Sequence, residues 1–143
     1  MFDALKKLFS RQVTQTGPME PRLAVAAILV HLAAIDGDTS EREQGLLRGA
    51  LKTHYGLDDA TVDRLIDDAR VRDQDSVDFY GFTSTLSALD SAEKLTIIRM
   101  MWTVVFADRQ NHELEDNMVW RIAELIGVPA RERMLLRAEV AKA

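Results

Sequence analysis

The chain has 143 residues, 47% of them apolar and 29% charged, which suits one ordinary domain with a real core and is too apolar for disorder. It contains no cysteine, so disulfides, zinc thiolates, iron–sulfur clusters and thiol nucleophiles are excluded, and a reducing cytoplasm is the expected compartment. A net charge of −5 argues against nucleic acid as the main partner, because phosphates require a basic face.

The chain opens on MFDALKKLF, which sets Phe2, Leu5, Leu8 and Phe9 on one helical face and Lys6 and Lys7 on another. Two readings of this short amphipathic helix stand side by side. It docks on the domain or a partner, or it lies at an anionic membrane surface as a peripheral contact through residues 1–9. No secretory signal is expected, since Met1–Phe9 lacks a continuous apolar core and a cleavage site. A polar linker follows to Glu20, broken by Gly17 and Pro18, and Pro21 suits the first position of the next helix. Residues 1–20 are thus a helix and linker, and 21–143 the folded domain.

Within that domain the periodicity predicts an all-α bundle of about seven helices, near 22–35, 41–55, 59–71, 78–89, 91–107, 113–126 and 130–141. Ser40 to Glu43 has the form of a capping box and Asp90 to Glu93 a weaker version. Gly56 and Gly127 stand where helices end. The apolar runs Leu23–Ile35 and Leu95–Ala107 are each about 13 residues, short of the roughly 20 that cross a bilayer, and read as buried helices. Between Asp58 and Asp78 eight Asp face three Arg, a segment expected to be a solvated face that could also draw a basic partner or cations.

Single residues are read in the same way. His31 is expected in the core, and His54 near a helix end where positive charge suits the dipole. Arg99, inside an apolar helix, is expected to pair with an aspartate, and Trp102 and Trp120 to fill the core. No G-x-S-x-G elbow and no glycine-rich phosphate loop occur, so no enzyme is expected.

A shift of 72 positions lays Asp36 on Asp108, Glu41 on Glu113 and Glu43 on Glu115, and matches apolar Leu46, Leu47 and Ala50 with Met118, Val119 and Ile122. Two pseudo-repeats are the expectation: apolar helix, acidic corner, amphipathic helix, glycine stop, charged helix. Each corner carries an Asp closing a helix and, seven residues on, a Glu opening the next. In one reading Asp36 and Asp108 accept backbone N–H groups and fix the corner. In the other Asp36, Asp38, Glu43, Asp108, His112 and Glu115 supply ligands to a divalent cation of the calcium or magnesium type. His112 either caps the helix that follows or joins that cation. The first loop is no EF-hand, because Glu41 and Leu47 stand where Gly and Glu are needed.

Ala34-Ile35-Asp36-Gly37-Asp38 with Glu43, and Trp102, Ala107-Asp108, His112, Glu115 and Ala123 to Gly127, resemble the paired signatures of the TerB-like family. That family includes the tellurite-resistance TerB proteins and a domain of DjlA-type co-chaperones. The resemblance covers about residues 22–140. It implies a helical bundle, bacterial cytoplasmic or inner-membrane-associated stress biology, divalent-cation binding as one candidate activity, and no established catalysis. Arg109 departs from the pattern, which has glycine there. The expectation is a non-enzymatic interaction or scaffold module with an unidentified protein partner. The alternative is a divalent-cation sensor or buffer.

Overall fold

The computed structural model describes residues 20–34, 41–73, 79–108 and 113–142. They form seven α-helices: α1 Pro21–Ala34, α2 Glu41–Tyr55, α3 Asp59–Asp73, α4 Phe79–Ser87, α5 Ser91–Val105, α6 Glu113–Ile126 and α7 Ala130–Lys142. No strand occurs among the described residues. The N-terminal helix expected over residues 1–9, its linker, Ser40 and residues 74–78, with Asp75 and Asp78, lie outside them.

Local chemistry sets most helix ends. Pro21 enters the first turn of α1, where its missing N–H costs nothing, and the Glu20 carbonyl accepts from Leu23 at 3.0 Å and Ala24 at 3.1 Å. Asp90 caps α5 by accepting from the Glu93 N–H at 2.8 Å. Asp58 does the same for α3 from Thr61, at 2.8 Å, and hydrogen bonds from Thr61 hold its carboxyl below the ordinary 3.8. Gly56 and Gly127 close α2 and α6 in the left-handed region, at φ of 62° and 86°. Each lets the next residue reach back, Leu57 N–H to the Lys52 carbonyl at 3.0 Å and Val128 N–H to the Ala123 carbonyl at 2.8 Å. Three ends differ from expectation by two residues, and α3 is one, running on to Asp73 where 71 was expected. α4 stops at Ser87, where the Ser87 hydroxyl turns back on the Ser84 carbonyl at 2.8 Å, and α5 stops at Val105, tightening into a 3₁₀ turn over Phe106–Asp108.

The two apolar helices lie inside. Nine residues of α1 from Ala24 to Ala33 are buried, all round the helix, because α2, α3, α4, α5 and α6 all pack on it. α5 buries Ile97, Ile98, Met100, Met101, Trp102, Val104 and Val105 against α1, α2, α6 and α7. Trp120, by contrast, is 37% exposed rather than a core residue. The reason is tertiary: α7 packs mainly along α5, and Arg133 lies over the Trp120 ring, its guanidinium carbon 4.0 Å from the centroid. Arg99 finds a glutamate, Glu139 of α7, at 3.0 Å, and not an aspartate. The Asp-rich segment is more than a solvated face, since Arg48 and Lys52 of α2 reach across to it. Arg48 bonds Asp63 at 2.8 Å and Asp59 at 3.0 Å, and Lys52 bonds Asp59 at 2.7 Å. Lys52 first, then Arg48, holds the Asp59 carboxyl below its usual range. These pairs are exposed and add little stability; they set the register of α2 on α3.

At one end of the bundle, His54 Nε2 lies 2.7 Å from Glu93 Oε1, joining the end of α2 to the start of α5. Beside it, burial first and the Glu93 charge second push the Tyr55 phenol up from 10.0 to about 12. Its hydroxyl is buried and meets no hydrogen-bond partner among the described residues. The unfolded chain therefore loses this proton first, near pH 10, while the folded chain keeps it to about 12, and stability drains away as pH rises through that window. Tyr55→Phe is expected to be close to neutral at pH 7 and to outlast the wild type in melts between pH 10 and 12. Parallel melting curves of the two proteins across that range would contradict this.

Candidate functional site

The opposite end gathers the features singled out in the sequence. Glu43 and Glu115 are each the third residue of a helix, α2 and α6, so the positive helix end favours their charge. Both are buried, 1% and 0% exposed. A carboxylate tolerates that only when its charge is answered, and both residues take part in polar or electrostatic interactions. α2 also packs against the 3₁₀ turn at Phe106–Asp108, which brings the start of α2 beside the end of α5. Of the other sequence candidates, Asp36, Asp38 and His112 lie outside the described residues, and of Asp108 the described part is its backbone at the end of the turn. Among the described residues no group of three His, Asp or Glu converges as a metal centre would require. Glu43 and Glu115 are the two carboxylates of the set whose side chains are described, each buried in the first turn of the helix that follows a corner.

Sequence reasoning missed what lies next to these corners. A cleft of about 720 Å³ opens between α2, the end of α5 with its 3₁₀ turn, and α7. Arg42, Arg99 and Glu139 give it charge, while Leu46, Phe106 and Val140 give it apolar wall. Phe106 is held by a stack on Trp102, with ring centroids 6.0 Å apart, and the Arg137 guanidinium lies 5.2 Å and 5.4 Å from the Phe106 and Trp102 rings. Arg137 is itself held by Asp116 of α6 at 3.0 Å. The wall is thus rigid on three helices. The one sequence signal for the cleft was Arg99, a charge in an apolar helix.

The family model described as tellurite resistance protein TerB matches residues 22–138. The chain belongs to the TerB family. Comparison with curated proteins and comparison with solved structures each found no match. The TerB match runs from the first turn of α1 into α7, and so takes in both corners and the Arg42, Arg99 and Phe106 walls of the cleft. Glu139 and Val140, on the third wall, lie just past it. No helix among the described residues of this TerB domain is long and apolar enough to cross a membrane.

Proposed function

We propose that this chain is a non-catalytic TerB module that binds a protein partner at its corner end, in the cellular response to tellurite or to envelope and metal stress. The observation that carries the reading is the cleft: an accessible, mixed apolar and charged hollow, built on rigid helices directly beside both corners. Buried Glu43 and Glu115 serve it by holding the first turns of α2 and α6 in place. A photo-crosslinking residue at position 46 in living cells is expected to trap a discrete protein. The same residue at position 68, on the exposed side of α3, is the control, and equal trapping at both sites or none at 46 would refute the reading.

The second reading is a divalent-cation sensor or buffer built on the acidic corners, favoured by the placement of two buried carboxylates in the turns that follow Asp36, Asp38 and Asp108. Calorimetry with calcium, magnesium, manganese and zinc separates the two. Heat of binding abolished by Asp36→Ala would establish the cation site, whereas silence with all four ions removes it.

A further inference from the structure

Building on the partner-binding reading, we infer that the cleft recognises a polypeptide through an acidic side chain set next to an apolar one. Its volume, about 720 Å³, is that of a site for a few residues of extended chain, not for a whole protein face. Its charge is opposite to that of the molecule: two guanidiniums face one carboxylate in a chain of net charge −5. Arg42 is exposed and pairs with no carboxylate among the described residues, so its fork of donors is open to an incoming one. Arg99 spends one nitrogen on Glu139, at 3.0 Å, and keeps the rest of its fork. Around these charges Leu46, Phe106 and Val140 offer apolar surface that a small inorganic anion could not use. A nucleic acid would bring phosphates to a chain that repels them. An acidic residue flanked by Leu, Ile or Phe satisfies both surfaces at once. Glu139 then acts as an internal stand-in, occupying Arg99 until the partner's carboxylate competes for it.

The test is selection of random heptapeptides on the purified full chain, followed by fluorescence anisotropy of the winners. Selected peptides are expected to be enriched in Asp or Glu adjacent to a large apolar residue. Arg42→Glu should weaken them about tenfold or more, because a charge-assisted contact becomes a repulsion. That variant places an acid in the first turn of α2, where the dipole welcomes it, so lost binding will not reflect lost folding. Glu139→Gln should tighten them severalfold by releasing Arg99. Failure to enrich any peptide, enrichment without acids, or unchanged affinity in Arg42→Glu would overturn the inference. So would weakening in Glu139→Gln. A partner trapped at position 46 alongside any of those results would leave the partner reading standing and remove this inference alone.

Discussion

Trp102→Ala is expected to cost about 3–5 kcal/mol of unfolding free energy, as large aromatic truncations in closed cores do. Trp102 is 0% exposed near the end of α5 and ranks among the largest wholly buried side chains. Its removal would empty the space beside Phe106 and take from Arg137 one of the two rings that, with Asp116, now hold it. Three helices, α5, α6 and α7, would lose a common contact, and with it the wall of the cleft. Urea unfolding followed by circular dichroism measures the loss. Trp120→Ala is the internal comparison: more than a third exposed, with the Arg133 guanidinium over its ring, it should cost about 1 kcal/mol. Equal losses for the two tryptophans would contradict this account of the α5–α7 seam.

Glu115→Ala is expected to cost about 1–3 kcal/mol, since it removes a wholly buried carboxylate that the start of α6 favours and leaves its space empty. Glu43→Ala, at the matching place in α2, should cost a similar amount. Glu115→Gln keeps the shape and one acceptor oxygen and should recover part of the loss. Melts run in EDTA keep the comparison free of any cation. Alanine variants as stable as the wild type would show that these carboxylates do not hold the first turns of α2 and α6, and would turn attention back to ligand binding as the reason for burying them.

The helices were legible because each rests on chemistry a few residues wide. Pro21, Asp90, Gly56 and Gly127 act on their own neighbouring backbone, and a run such as Ala24 to Ala33 has no polar face to turn outward under any fold. Asp58 carries the Asp-x-x-Thr pattern of a cap, a local signal that the surrounding run of aspartates masks. The buried state of Glu43 and Glu115 was not legible, since a glutamate in a first helical turn is ordinarily a solvated dipole partner.

What the sequence determined alone is therefore local and periodic: the all-α class, the helix limits to within a few residues, the two water-avoiding helices and the TerB signatures. Which outer faces those helices cover was decided by packing. Trp102 and Trp120 both stand among apolar neighbours at helical spacing, yet one is sealed and the other is more than a third exposed, because α7 settles along α5. The cleft is likewise made by residues as far apart as Arg42 and Glu139, whose meeting depends on the balance of apolar burial over the whole bundle and leaves no mark in either neighbourhood.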